Sequence, residues 1–228
     1  HQWRDVFRYT VGGQVILFDD SKTECLSIIE ELSHGKVNLV VLEIFKKTLK
    51  KETGKKTEKG IWLIQSMLKG DHFDFVVEKT TEIGVDNIVP VISERTIKQG
   101  VNIERARKIA TEASEQSGRV SVPTIYDMVS LEKAIENFKS ATNGMVLVLA
   151  QGGVSVTKLK EKIFKNKTKG KGINMKSIAV VVGPEGGWSP TEMQYFKKSG
   201  FALVSLGDTV LRGETAAIVG VFAVTHQN

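Results

Sequence analysis

The chain has 228 residues, and its 32 Lys plus Arg against 26 Asp plus Glu give a formal net charge of +6. A hydrophobic fraction of 41% and a charged fraction of 25% are ordinary for a packed globular protein, which excludes a disordered, collagen-like or coiled-coil chain. The single cysteine, Cys25, excludes an internal disulfide and a CxxC redox or zinc motif, so a reducing compartment such as the cytoplasm is expected.

Short β-rich runs separated by turn signals make up the first part of the chain. Strands are predicted at Gln14 to Phe18, Glu24 to Leu32 and Lys36 to Phe45, with a further apolar strand at Ile61 to Gln65. Strands of this length without a convincing helical period are typical of a small barrel. We therefore predict a β-barrel domain over residues 1–66.

Strands alternate with helices from residue 67 onward. Asp71 can cap a helix that ends at Gly84, a residue suited to a left-handed stop. Met145 to Ala150 and Ile178 to Val182 are continuous apolar runs, typical of strands buried on both faces of a parallel sheet. The remaining units are helices at Asn102 to Ser117, Pro190 to Ser199 and Gly213 to Thr225, and strands at Asn87 to Ile92 and Phe201 to Leu206. This order predicts an α/β domain with a parallel sheet over residues 67–228.

Positive charge is concentrated in two lysine-rich stretches. Lys46 to Lys59 has seven Lys against Glu52 and Glu58, a net of +5, and Lys158 to Lys176 has eight Lys against Glu161, a net of +7. Clustered lysines suit a polyanion because each neutralised phosphate releases a counterion. Two solvated loops would have the same composition, so charge alone indicates nucleic acid only weakly.

Three polar or glycine-rich segments, at residues 151–153, 183–187 and 207–215, follow predicted strands. Ligands of parallel α/β sheets bind at the carboxyl ends of strands, so these segments are candidate ligand loops. The segment at 183–187 matches neither a Walker loop nor GxGxxG, and Pro184 lacks an N–H donor. Glu185 would place a carboxylate where a pyrophosphate would have to bind. A nucleoside or cationic ligand therefore fits better than a polyphosphate, although a tight strand-to-helix turn is the structural alternative.

The residues around these loops specify two helix starts. Ser189, Pro190 and Glu192 form the pattern of a capping box with proline in the first turn. Arg212 and Glu214 flank a second glycine, and either a surface ion pair or simple helix capping would also explain them.

The four histidines show no metal-ligand spacing, so no metal site is expected. No apolar run is long enough to cross a bilayer, so no membrane span is expected either.

Ordered motifs now point to a family. GPEGGWS at residues 183–189 and LG-x-x-VLR-x-ETA at residues 206–216 resemble the paired signatures of the ribosomal RNA small subunit methyltransferase E family. Upstream segments agree in the same order, at residues 6–8, 68–71, 79–85, 93–95 and 112–119. The resemblance covers essentially the whole chain. It implies a PUA-like RNA-binding β-barrel followed by a SPOUT-type methyltransferase domain with a C-terminal trefoil knot.

The resemblance also implies an activity. Members methylate N3 of a uridine in 16S rRNA with S-adenosyl-L-methionine, as homodimers with the active site at the subunit interface. The substrate would be 16S rRNA or the assembled 30S subunit. Two alternatives are a non-catalytic rRNA-binding dimer that uses the same scaffold, and a nucleotide-utilising enzyme of the doubly wound type.

The same resemblance assigns roles to residues. Arg212 is the first catalytic candidate because a guanidinium can donate two parallel hydrogen bonds to a developing anion. Glu214 is a possible base or an orienter of Arg212. Residues expected to hold the methyl donor are Leu149, Gly183, Pro184, Glu185, Gly186, Gly187, Leu206, Gly207, Val210, Leu211, Thr215 and Ala216. Residues expected to contact RNA are Arg8, Lys69, Lys79, Arg95, Gln116 and Arg119, although solvated surface charges are the ordinary alternative.

Overall fold

The computed structural model describes residues 8–18, 23–33, 36–46, 60–97, 100–158 and 177–226. The chain divides into two compact units, one formed by His1–Gly54 with Gly118–Val122, the other by Lys55–Ser117 with Pro123–Asn228. Most of the two lysine-rich stretches, residues 47–59 and 159–176, lies outside the described residues. No helix in the described part of the chain is long and apolar enough to span a bilayer.

The smaller unit contains a three-stranded antiparallel sheet in the order β1-β2-β3. Its strands are β1 (Gln14–Phe18), β2 (Thr23–Ser33) and β3 (Lys36–Lys46). Val15 and Ile29 are buried, and the main chain of Ile29 exchanges hydrogen bonds with the Gly12-Gly13 turn at 2.8 and 2.9 Å. The three predicted N-terminal strands are confirmed, and the sheet fits a small barrel-like domain.

The larger unit is an α/β fold around a seven-stranded sheet. Its first elements are β4 (Gly60–Ser66), α1 (His72–Ile83), β5 (Asn87–Ile92), α2 (Ile103–Ser117), β6 (Thr124–Ile125), β7 (Val129–Ser130) and α3 (Leu131–Ala141). They are followed by β8 (Met145–Ser155), β9 (Ser177–Val182), α4 (Pro190–Lys198), β10 (Ala202–Ser205) and α5 (Gly213–Thr225). The strand order is β10-β8-β9-β4-β5-β6, with β7 beside β5, and the pairs are parallel. The predicted α/β class is confirmed, while the trefoil knot stays a prediction.

Strand β4 corrects one assignment made from sequence. The run Ile61 to Gln65 was predicted to belong to the N-terminal barrel, but β4 lies inside the parallel sheet between β9 and β5. Trp62, Leu63 and Ile64 are almost completely buried there. An apolar run shows that a strand is buried on both faces, but it does not reveal which distant strands pair with it.

The sheet is covered on both faces. On one face, Trp62 stacks on Tyr126 and meets Phe138 edge-on, with ring centroids 5.1 and 5.6 Å apart. On the other face, α5 packs against α1, β4 and β9. A Cβ at Gly220 in α5 would lie 2.8 Å from the Leu149 Cδ1 atom, so this helix approaches the sheet closely. The ends of the sheet strands therefore project from a core that is tightly packed on both faces.

Helix starts are specified unequally by their local sequence. Asp71 takes the N-cap position of α1, as predicted, but its side chain forms no capping hydrogen bond. Gly84 ends the same helix in the left-handed conformation, with φ of 111°. The start of α1 therefore lacks the side-chain cap that the sequence predicts.

Candidate functional site

A cavity of about 870 Å³ lies in the larger unit beside the middle of β8 and the ends of β9 and β10. The residues after β9, the residues between β10 and α5, and the second half of β8 form its walls. All of the residues predicted to hold a methyl donor line this cavity except Thr215. The loops at 183–187 and 207–215, which are far apart in the sequence, therefore contribute to a single site. The segment at 151–153 is not a loop: β8 continues through it to Ser155, and only Gln151 of this segment lines the cavity.

The loop after β9 is shaped by its glycines and by one tryptophan. Gly187 has φ of 66°, and its N–H donates to the Pro184 carbonyl at 2.9 Å, which closes the turn. A Cβ at Gly183 would lie 3.1 Å from the Trp188 ring. The Trp188 indole N–H donates to the Leu149 carbonyl at 2.8 Å. This hydrogen bond ties the loop to β8, the neighbouring wall of the cavity.

The predicted capping box at the start of α4 is present. The Ser189 hydroxyl accepts the Glu192 N–H at 3.0 Å, and the Glu192 carboxylate accepts the Ser189 N–H at 2.7 Å. The second carboxylate oxygen of Glu192 accepts the Glu94 N–H at 2.9 Å. The capping side chain therefore also binds the loop after β5, a contact that sequence reasoning missed because no local pattern encodes it.

Glu185 and Arg95 join further loops at the rim of the cavity. The Glu185 carboxylate accepts the main-chain N–H of Lys69 at 2.8 Å. The Arg95 guanidinium donates to the Gly186 carbonyl at 2.9 Å. The sequence predicts Glu185 beside the methyl donor and the two basic residues, Lys69 and Arg95, beside RNA. The structure places Glu185, Lys69 and Arg95 together at one rim, where their hydrogen bonds link the loops that follow β4, β5 and β9.

The segment that leads into α5 brings an unpredicted pair together. Gly213 is buried, and a Cβ there would lie 2.7 Å from the Leu68 Cδ2 atom, so α5 begins directly against the loop after β4. This contact sets Glu214 opposite His72, with Nδ1 and Oε1 3.3 Å apart. The surface ion pair between Arg212 and Glu214, one alternative at the sequence level, is not formed. Within the described residues, the Arg212 guanidinium has no hydrogen-bond or ion-pair partner.

The other predicted RNA contacts lie outside the cavity. Lys79 on α1 is paired with Glu78 and Glu82, each at 2.8 Å, and hydrogen bonds to these carboxylates raise the pKa of its ammonium group. Gln116 is exposed at the end of α2, and Arg119 follows in the segment assigned to the smaller unit. Arg8 is exposed and has a positive φ of 53°. None of these four residues lines the cavity.

The chemistry available in the cavity is that of main-chain polar groups and a few charged side chains. Arg95, Arg212 and Lys69 supply cationic donors, while Glu185 and Glu214 supply carboxylates. Across the described part of the chain, no group of three or more His, Cys, Asp or Glu is placed to hold a metal ion. The site is therefore suited to a neutral or cationic nucleoside-like ligand beside a substrate that develops negative charge.

Known proteins resemble the chain in sequence and in fold. A family model described as an RNA methyltransferase domain matches residues 55–225. The ribosomal RNA small subunit methyltransferase E of Rickettsia conorii is 29% identical over 225 residues, which cover 98% of this chain and 85% of that protein. The protein of that name from Bacillus subtilis is 26% identical over 236 residues, with coverage of 100% and 87%. The Neisseria gonorrhoeae crystal structure under the same name, bound to S-adenosyl methionine, superposes with a TM-score of 0.80 at 28% identity, covering 98% of this chain and 86% of that one.

Proposed function

The chain belongs to the RNA methyltransferase family, whose model spans residues 55–225, and we propose that it methylates N3 of a uridine in 16S rRNA with S-adenosylmethionine as the methyl donor. The observation that carries this proposal is the cavity in which the loop at 183–187 meets the segment at 207–214. The relatives named as small subunit methyltransferase E, and the bound S-adenosyl methionine of the Neisseria structure, support it.

The residues of the cavity fit S-adenosylmethionine. A cavity of about 870 Å³ is within the range of cofactor pockets, roughly 300–1,000 Å³. Gly187 and Gly207 have positive φ, and no atom lies within 4 Å of the position that a Cβ would take, so a ligand can approach their main chain closely. The carboxylate of Glu185 complements a positively charged ligand. We assign the adenine and ribose contacts to the main chain of Gly183, Gly187, Leu206 and Leu211.

S-adenosylmethionine supplies a methyl group on a positively charged sulfur, and as the bond from this carbon to N3 forms, the carbon–sulfur bond breaks and the sulfur keeps its electron pair. Alignment and exclusion of water are the protein's main tasks in such a displacement. Uridine N3 is a weak acid that is neutral near pH 7, so its anion must also be stabilised. We assign to Arg212 the donation of hydrogen bonds to the carbonyl oxygens beside N3, since Arg212 lines the cavity and its guanidinium has no other partner among the described residues.

The substrate side follows from the basic rim. Lys69 and Arg95 line the cavity and are the RNA contacts nearest the proposed chemistry. Arg8, Lys79, Gln116 and Arg119, which do not line the cavity, would contact other parts of the 16S rRNA or of the 30S subunit. An rRNA substrate places the proposed reaction in the cytoplasm.

The proposed functional form is a homodimer. Two helices that pack together, α1 and α5, carry exposed apolar side chains. These are Phe75 on α1, and Val219 and Phe222 on α5. Clustered exposed apolar side chains mark interaction surfaces. A second copy of the chain that covers these helices would lie beside His72 and Glu214, at the first turns of the same two helices, and would help to enclose the cavity.

The decisive experiment is incubation of 30S subunits with the protein and labelled S-adenosylmethionine, followed by mass spectrometry of the 16S rRNA nucleosides. We expect N3-methyluridine with the wild-type protein and a loss of about 100-fold in turnover for Arg212→Ala. Arg107→Ala is the matched control, since Arg107 on α2 pairs with Glu104 and does not line the cavity. Binding of rRNA without methyl transfer would instead support the non-catalytic alternative.

A further inference from the structure

Two titratable side chains meet at the cavity, one from each of two helices that pack together. His72 is the first residue of α1, and Glu214 lies in the first turn of α5. The imidazole Nδ1 is 3.3 Å from the carboxylate Oε1, with 49% of the His72 side chain and 13% of the Glu214 side chain exposed. The histidine is therefore open to a ligand, while the carboxylate opposite it is largely withdrawn from solvent.

This arrangement selects one tautomer of the neutral imidazole. A proton on Nδ1 faces the negative oxygen of Glu214, whereas a lone pair on Nδ1 would be repelled by it. The lone pair then lies on Nε2, which is the atom able to take a proton from a bound group. Histidine is the side chain best suited to proton transfer near neutral pH, and a carboxylate partner that fixes its tautomer is a common means of orienting it.

The other charged residues of the cavity are less suited to accept a proton. Lys69, Arg95 and Arg212 offer only donors when charged. The Glu185 carboxylate already accepts the Lys69 N–H. Asp74, on the same helix as His72, is paired with Arg105 at 2.7 Å and does not line the cavity. Asp71 precedes His72 at the helix start and does not line it either.

We propose that His72 is the general base that removes the N3 proton of the target uridine, and that Glu214 positions its imidazole; this proposal rests on the methyltransferase function proposed above. In the step, the N3–H bond breaks and an Nε2–H bond forms, while the bonding electron pair stays on N3 and spreads onto the two flanking carbonyl oxygens. The two reactants, the uridine and the imidazole, are both neutral before the step. Afterwards the uridine is an imide anion, which faces Arg212, and the imidazole is an imidazolium, which faces Glu214. The imidazolium returns its proton to water after the product leaves.

The first test compares His72→Gln with the wild-type protein under single-turnover conditions. We expect the rate of methyl transfer to fall by about 100-fold near neutral pH, the usual contribution of a positioned base. The wild-type rate should level off as pH rises, whereas the variant rate should keep rising with pH because hydroxide-driven ionisation of N3 replaces the base. Glu136→Gln, on the exposed face of α3 and away from the cavity, is the control and should keep the wild-type profile.

Substrate acidity gives a reading that a purely structural role would not produce. RNA that carries 5-fluorouridine at the target position has a more acidic N3–H and needs less help from a base. The loss of methyl-transfer rate in His72→Gln, relative to the wild-type protein, should therefore be several-fold smaller on this RNA. The loss of rate in Arg212→Ala should not become smaller in the same way. An equal deficit of His72→Gln on both RNAs would overturn the proposal.

A chemical footprint tests the contact without measuring activity. Diethyl pyrocarbonate acylates uncharged imidazole nitrogens, and mass spectrometry locates the modified residue. We expect a target RNA hairpin, added with S-adenosylhomocysteine, to protect His72 in the wild-type protein. His226, at the end of α5, should react equally with and without RNA. Unchanged reactivity of His72 in a complex that has formed would contradict the proposed contact.

Separate outcomes distinguish this proposal from the function on which it rests. Absence of N3-methyluridine with the wild-type protein would defeat the proposed function itself. Normal product with a wild-type rate in His72→Gln would defeat only the role of His72. If His72→Gln does not fold, as judged by calorimetric binding of S-adenosylmethionine, Glu214→Gln provides the second variant. Glu214→Gln should still bind the methyl donor, and its rate of methyl transfer should fall by less than tenfold, with a smaller decrease at high pH. An unchanged rate across the pH range would overturn the positioning role of Glu214.

Discussion

The carboxylate of Glu192 accepts the main-chain N–H of Glu94 in a 2.9 Å hydrogen bond that joins the first turn of α4 to the loop after β5, two segments that are distant in sequence. Glu192 is only 3% exposed, and its other oxygen accepts the Ser189 N–H. One buried carboxylate therefore satisfies two main-chain donors, one at the start of α4 and one after β5. Burial of such donors without a partner is costly, which makes this residue a structural link between two walls of the site.

Glu192→Ala should lower the free energy of unfolding by about 1–3 kcal/mol, because it leaves the buried Ser189 N–H and the part-buried Glu94 N–H without acceptors. Urea unfolding of the full chain measures this loss. Thr191→Ala, at the neighbouring exposed position of the same helix turn, is the matched control and should change stability by less than about 0.5 kcal/mol. Equal stability of the two variants would show that the Glu94 and Ser189 bonds contribute nothing net.

Trp188→Phe should weaken binding of S-adenosylmethionine about fivefold to tenfold. The phenyl ring preserves most of the edge-on contact with Phe196, but the hydrogen bond to the Leu149 carbonyl is lost, and one such bond contributes about 1 kcal/mol. Isothermal titration with S-adenosylmethionine measures the affinity. Tyr195→Phe, which also removes one polar group from the same aromatic cluster but lies off the cavity, should bind normally.

Gly213→Ala tests the close approach of α5 to the loop after β4. The added Cβ would lie 2.7 Å from one methyl of Leu68, so that side chain must move and the mouth of the cavity must shift with it. We expect weaker binding of the methyl donor, with partial recovery in the double variant Gly213→Ala with Leu68→Ala. Gly100→Ala, where the new Cβ meets open space, should bind like the wild-type protein. No recovery in the double variant would locate the strain elsewhere.

Alkaline stability should depend on Tyr195. Burial, followed by the nearby carboxylates Glu132 and Glu136, raises the pKa of its phenol above the ordinary value of 10.0. In that pH range the unfolded chain loses the phenol proton before the folded chain does, so the stability from this group is present below about pH 10 and is lost as pH rises further. Above pH 9, the free energy of unfolding measured in urea should therefore fall less steeply with pH for Tyr195→Phe than for the wild-type protein. Parallel curves for the two proteins would contradict this origin of the shift.

Local signals in the sequence were sufficient for most elements of the larger unit. Continuous apolar runs predicted β8 and β9, and the Ser189, Pro190 and Glu192 pattern predicted the start of α4. The apolar run in β4 predicted a strand but not its sheet, and the assignment to the N-terminal barrel was wrong. A strand's own residues report its burial, whereas its neighbours are chosen by contacts with β5 and β9, which no local pattern contains.

The sequence by itself determined which loops carry the candidate site, because glycines, a proline and a capping box restrict the main chain through residues close in sequence. Only the tertiary structure decided which side chains face each other across it. The family-like segment at 68–71 ends directly before His72 and assigns it no role. The contact between His72 and Glu214 depends on α5 beginning against Leu68. Contacts of this kind depend on the packing of elements far apart in the chain, and packing is a property of the whole fold rather than of any segment.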